Sequence, residues 1–194
     1  MPTGDRIGTA GAQGSPLLTD THVHLNLKAY RKDRTEAIAR AKAAGVGFMI
    51  NVGFDLATSR ESIELADEHD FIRASVGLHP HGASDMDDDT FARLSELASH
   101  ASVVAVGETG LDYYRDLSPR DEQKLAFRRQ IQLARELGRP LIIHNRDALD
   151  DVLDIIEDEG AGDVGGVMHC FPGDVAYAAK VVELGFHVGC LLYT

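Results

Sequence analysis

The sequence predicts an α/β fold on a parallel sheet, in the form of an incomplete (β/α)8-type barrel of about seven strands and six helices. Three observations point there. Apolar, β-branched runs alternate strictly with helix-forming segments from residue 17 onward. The unit is roughly 25–30 residues long, which suits a strand with its crossover helix better than a solenoid repeat. Several apolar runs stop at a histidine or a glutamate, the position where parallel α/β folds build their sites. An open doubly wound sheet is the competing topology. It would call for a Gly-rich phosphate loop after the first strand, where this chain has Thr21-His22-Val23-His24.

Taken in order, residues 1–16 hold Gly4, Gly8, Gly11 and Gly14 and few large apolar side chains. They read as a flexible leader, because such a stretch cannot offset its ordering entropy. The barrel domain then covers residues 17–194. Residues 17–25 form the first strand and its exit. A helix over 34–44 stops at Gly45, a good C-terminal signal. The second strand spans 48–53, and a helix over 57–69 follows on Ile63, Leu65 and Ala66. The third strand, 71–77, runs out into Leu78-His79-Pro80-His81, and a helix over 87–100 packs on Phe91, Leu94 and Leu97. The fourth strand, 103–106, delivers Glu108. After a loop through Tyr113, Tyr114 and Arg115, a long helix from about Ser118 carries the stripe Leu125, Phe127, Ile131, Leu133 and Ala134 and closes at Gly138. The fifth strand is 140–144, the sixth 166–171 and the seventh 186–192, with helices over 148–159 and 174–184 between them.

Composition narrows the function. Hydrophobic residues at 44% and charged residues at 26% are ordinary for a globular protein. No apolar run approaches the ~20 residues of a membrane helix. Cys170 and Cys190 are too few for a disulfide scaffold and fit a reducing cytosol, so a cytoplasmic location is expected. The net charge of −12, from 19 Lys and Arg against 31 Asp and Glu, argues against a broad nucleic-acid-coating surface. A compact phosphate-handling site stays open, since bound divalent ions supply positive charge locally.

The chemistry is carried by one carboxylate and four imidazoles. Residues two apart on a strand point to the same side, so His22 and His24 can face one metal ion. Glu108, His144 and His169 each follow an apolar run. Any one of these histidines read alone suits a hydrogen-bonded core position. Together they gather on one rim, because parallel strands bring their carboxyl ends to the same side. Imidazole and carboxylate donors suit Zn²⁺, Mn²⁺, Ni²⁺ or Fe, while Mg²⁺ prefers oxygen. A carboxylate can bridge two ions, which assigns Glu108 the bridge, His22 and His24 to one ion, and His144 and His169 to the other.

The segments Thr21-His22-Val23-His24, Val76-Gly77-Leu78-His79-Pro80-His81, Val106-Gly107-Glu108-Thr109-Gly110-Leu111-Asp112-Tyr113-Tyr114-Arg115, Pro140-Leu141-Ile142-Ile143-His144-Asn145-Arg146-Asp147-Ala148 and Met168-His169-Cys170-Phe171 resemble the TatD family of metal-dependent deoxyribonucleases. That family lies within the TIM-barrel metal-dependent hydrolases. The resemblance implies a hydrolase of phosphodiester bonds, an exonuclease acting on DNA with two divalent ions. It favours Mg²⁺, with Mn²⁺ or Zn²⁺ as alternatives. It carries the metal ligands onto His22, His24, Glu108, His144 and His169, with Glu108 the catalytic group, and places His79 near substrate phosphate. Arg146 is expected either to hold a phosphate through its guanidinium fork or to form an ion pair at the rim. His81 is expected to be structural or exposed, and Asp112 and Asp147 to anchor loops.

The family's remaining ligand, an aspartate on an eighth strand, has no counterpart before Thr194. A truncated form is therefore expected, with weak metal retention at His22 and His24 and low intrinsic activity. Exposed edges on the first and seventh strands would favour a homo-oligomer. Two other readings compete: a D-aminoacyl-tRNA deacylase or other amidohydrolase, and an inactive binding protein whose barrel a partner completes.

Overall fold

The computed structural model describes residues 18–189. Its strands are β1 (Leu18–Val23), β2 (Val46–Val52), β3 (Ile72–Val76), β4 (Val103–Asp112), β5 (Leu141–Arg146), β6 (Gly166–Met168) and β7 (Phe186–Val188). They form one sheet in sequential order, with every neighbouring pair parallel. Helices α1 (Arg34–Ala43), α2 (Leu56–Glu68), α3 (Asp88–Ala98), α4 (Arg120–Leu137), α5 (Leu149–Asp158) and α6 (Val175–Glu183) alternate with the strands. The sheet curls far enough to stack His22 of β1 on His169, just past β6, with ring centroids 3.9 Å apart. This is the incomplete barrel that the alternation predicts. The expected leader, residue 17 and the continuation of the seventh strand over 190–192 lie outside the described residues.

The two faces of the sheet pack differently, as the strand period of two requires. On β5, Leu141 and Ile143 join Phe127, Ile131 and Ile156 in the main core beneath the helices. Ile142 points the other way, into a small inner cluster with Val52 and Ala105. His144 and Arg146 share the face of Ile142 and so lie on the inner side, one above the other.

Two expectations need correction. The fourth strand does not stop at residue 106; β4 runs to Asp112, and Glu108 lies within it. A bulge makes this work. Val106 pairs with Leu141 and Thr109 with Ile143, so two residues of β4 oppose one of β5. Ala105 faces inward, and unbroken alternation from it would send Glu108 outward to the helices. The extra residue turns the carboxylate back to the interior.

The second correction concerns α4. Leu125, expected on its apolar stripe, is 57% exposed, while Gln123 and Gln130 are buried. Both glutamines pair with main-chain groups. Gln130 accepts from Leu78 N at 2.8 Å and donates to Leu78 O at 3.0 Å. Gln123 accepts from Asp112 N at 2.8 Å and donates to Ser118 O at 2.8 Å. These bonds fix the exits of β3 and β4, and replace solvent for peptide groups that would otherwise be buried unpaired.

Candidate metal centre

All five expected donor residues converge. Glu108 is buried at the centre, and its two oxygens face different imidazoles. Oε2 lies 3.5 Å from His22 Nε2 and 3.6 Å from His24 Nε2. Oε1 lies 2.8 Å from His169 Nε2 and 3.0 Å from His144 Nδ1. His22 and His24 thus lie at one oxygen, and His144 and His169 at the other. The halves also touch: His22, Glu108 and His169 form one group of donor atoms within 4.8 Å of one another, and His79, Glu108 and His144 a second.

Hydrogen bonds on the far side of the His24 and His144 rings decide which nitrogen each turns to Glu108. His24 Nδ1 donates to the Val52 carbonyl at 3.1 Å, leaving the Nε2 lone pair toward Glu108. His144 Nε2 donates to Asp112 Oδ2 at 3.0 Å, leaving Nδ1 for the centre. An outer carbonyl or carboxylate of this kind orients metal-binding histidines generally. His79 differs. Its Nδ1 accepts from the His81 backbone N–H at 3.1 Å, so the neutral ring carries its proton on Nε2, 3.8 Å from Glu108 Oε1. His79 is thus placed to donate a hydrogen bond, although it stands in one of the two donor groups around Glu108.

Burial would raise the Glu108 carboxyl, but hydrogen bonds from His144, His169 and His22 outweigh it and hold the group well below the ordinary carboxylate range. Burial lowers His24 and His169, and pushes His79 down to about 3. His144 goes the other way. Burial acts downward there too, yet the Glu108 and Asp112 carboxylates together raise it.

The donor spacing suits cations. Zn–N and Zn–O bonds of ~2.1 Å at tetrahedral angles put ligand atoms about 3.4 Å apart. The contacts around Glu108 run from 2.8 to 3.6 Å, and His22 Nε2 lies 3.1 Å from His24 Nε2. Bare nitrogens held that close repel each other unless a cation or a proton lies between them.

The remaining expected residues divide as follows. Asp112 is a loop anchor. Its Oδ1 accepts from the Tyr114 and Arg115 amides, and its Oδ2 from His81 and His144. His81 is structural in this sense, bonded to Asp112 at 2.9 Å. Arg146 is exposed at the rim, its guanidinium 4.1 Å over the Tyr114 ring. Asp147 takes a left-handed backbone conformation with φ 56°. Sequence reasoning missed Gln123 and Gln130 as supports, and Leu27 and Phe54 as walls of the adjoining cleft. Both glutamines do fall at helical spacing with Phe127 and Ala134, the one local signal that could have found them.

A protein-family model described as "TatD related DNase" matches residues 19–193. The chain belongs to the TatD family. It is 48% identical over 172 residues to a Bacillus subtilis protein described as the uncharacterized metal-dependent hydrolase YabD, covering 89% of this chain and 68% of that one. It is 38% identical over 170 residues to the 3'-5' ssDNA/RNA exonuclease TatD of Cronobacter sakazakii, covering 88% and 65%. Among solved structures, the TatD homolog YJJV of Escherichia coli superposes with a TM-score of 0.81 at 29% identity, covering 88% of this chain and 66% of that one. The chain thus spans about two-thirds of the length of these relatives. The TatD family is one of metal-dependent hydrolases on a TIM-barrel fold, and the histidine and glutamate groups around Glu108 could hold the metal. Among the described residues no helix is long and apolar enough to cross a membrane.

Proposed function

We propose that this TatD-family chain hydrolyses phosphodiester bonds of single-stranded DNA from an end, with two divalent ions held on either side of Glu108. The observation that carries this reading is the Glu108 carboxylate, with one imidazole pair at each oxygen. His22 and His24 would hold one ion, and His144 and His169 the other. Bound there, divalent ions supply Lewis-acid polarisation of the phosphoryl group and a lowered pKa for water.

The chain's own residues supply the rest. Glu108 stays ionised because its imidazole neighbours hold its pKa low. His79 stays neutral and presents its Nε2–H toward the centre, placed to donate to a phosphoryl oxygen. Asp112 holds His144 in the tautomer that turns Nδ1 to the centre. Arg146, two residues beyond His144 on the same face of β5, stands at the rim about 6.6 Å further along the strand. There its guanidinium can meet the next phosphate. The name of the Cronobacter relative, an exonuclease of ssDNA and RNA, supports the same substrate class.

The test is release of mononucleotides from a 5′-labelled single-stranded oligodeoxynucleotide with Mg²⁺ or Mn²⁺, lost in Glu108→Ala. Release of free amino acid from charged tRNA, with no nucleotide release, would reject the nuclease reading in favour of an amidohydrolase.

A further inference from the structure

Beside the donors lies a cleft of about 430 Å³, within the range of small-molecule sites. One wall holds His24, His79 and Glu108, and Asp85 also lines the cleft. The other wall is apolar, made by Leu27, Phe54 and Leu78. Neither the holding of ions nor the contacts to phosphate explain this second wall.

Phe54 is a fixed platform. Its backbone N–H donates to Thr58 Oγ1 at 3.0 Å, and its carbonyl accepts from the His79 N–H at 2.9 Å. Its ring meets the His24 ring edge to face, with centroids 5.6 Å apart. The aromatic face is therefore tied by the main chain to the proposed phosphate donor, and by ring contact to an ion-holding histidine. Leu27, 39% exposed, forms the open lip of the same wall. The nearby Asp55 carboxylate is occupied in capping α2, accepting from the Thr58 N–H and Oγ1 at 2.7 Å each.

The geometry points to a nucleobase pocket: Phe54 and Leu27 receive the base of the nucleotide whose phosphate lies over Glu108. The inference rests on the phosphodiesterase reading and adds to it a specificity determinant. A sugar–phosphate backbone has no use for an apolar aromatic wall, whereas every base has a π-face that stacks on one. A base seated in a cleft of this size has left its partner strand. The pocket thereby selects unpaired ends without reading sequence.

The experiment measures Kd for two phosphorothioate-linked pentamers, which resist hydrolysis. One carries a base on its terminal nucleotide and the other is abasic there. The wild-type chain is expected to bind the base-bearing pentamer roughly 5- to 150-fold more tightly. Phe54→Ala should abolish most of that ratio, and Phe54→Tyr should keep it.

Gly82→Leu provides a second variant that leaves the wall intact. Gly82 has an ordinary φ of −105°, and a Cβ there would meet only Leu78 Cδ1 at 3.4 Å and Asp85 Oδ2 at 3.9 Å, both on residues lining the cleft. Its side chain would occupy the space of the base and should lower the ratio as well, so the test survives if Phe54→Ala fails to fold. Equal wild-type affinity for the two pentamers, with cleavage of the unmodified strand intact, overturns the pocket alone. A wild-type ratio in both Phe54→Ala and Gly82→Leu does the same. A wild-type chain that neither binds a pentamer nor releases nucleotide overturns the hydrolase reading, and the pocket with it.

Discussion

If two ions are held around Glu108 as proposed, Asp112→Asn should cost the centre one of them at low metal concentration. The carboxylate serves two pairs of donors. Oδ1 accepts from Tyr114 N at 3.1 Å and Arg115 N at 2.8 Å, while Oδ2 accepts from His81 Nε2 at 2.9 Å and His144 Nε2 at 3.0 Å. An amide has a single acceptor oxygen, so one pair must face its NH2 group. If the amide turns its nitrogen to the loop, two backbone N–H groups lose their partner and the turn after β4 opens. If it turns its nitrogen to the imidazoles, His144 must accept at Nε2 and carry its proton on Nδ1, the atom 3.0 Å from Glu108. In the second orientation the ion proposed at His144 and His169 loses a prepared ligand. Outer partners of this kind are worth about 10- to 100-fold in metal affinity. Titration calorimetry of the chelator-treated chain with Mn²⁺ should show one site weakened by that factor and the other little changed. Two sites with wild-type affinity would refute the assignment of Asp112 as the group that fixes the His144 tautomer.

Three further outcomes follow from the same geometry. The metal-free chain should lose stability as pH falls from 7 toward 4: His79 takes up its proton near 6.5 when unfolded but only near 3 when folded, giving a slope of about 1.4 kcal/mol per pH unit in that window. The lowered His24 and His169 add to the slope, and the raised His144 subtracts, since its contribution is present below 6.5 and fades as pH rises. A urea midpoint that stays flat across this range would contradict the burial of these rings. Gly77→Ala should destabilise by roughly 1–3 kcal/mol and displace Glu108. Its Cβ would meet the Gly107 carbonyl carbon at 2.6 Å and Glu108 N at 2.8 Å, backbone atoms that cannot swing aside. Urea unfolding together with metal stoichiometry would detect both effects. Gln130→Ala should cost about 1–3 kcal/mol for each main-chain group of Leu78 left unpaired, read by the same unfolding assay.

The strands and most of the donors were legible because each depends on local pattern. An apolar run ending in a histidine is visible at His144 and His169, and the alternation of His22 and His24 shows that both face one side. The course of β4 was not legible. Gly107 reads as a strand stop, yet it and Gly110 take φ values of 142° and 139° inside the strand. What requires glycine there is the close approach of Ile142 and His144 on β5, more than thirty positions away in sequence. The buried faces of Gln123 and Gln130 were hidden for a related reason. A glutamine on a helix reads as solvated unless the distant peptide groups it must satisfy are already known. The tautomers of His79 and His144 likewise depend on His81 and Asp112, so spacing placed the rings but could not say which of them would bind a cation.

The offset in β4 makes the parity of a count part of the chemistry. Straightened, with the same residues in the same order, this strand would offer Glu108 to the helices and Thr109 to the cleft. Such a conformer would keep every donor in its sequence but leave the four imidazoles without the carboxylate between them. Any cation held by Glu108 and its imidazoles binds only the offset form, and favours it by RT ln(1 + [ion]/Kd). The ion would then act as a proofreader of strand alignment, and a chelated preparation would be the place to look for the slipped form.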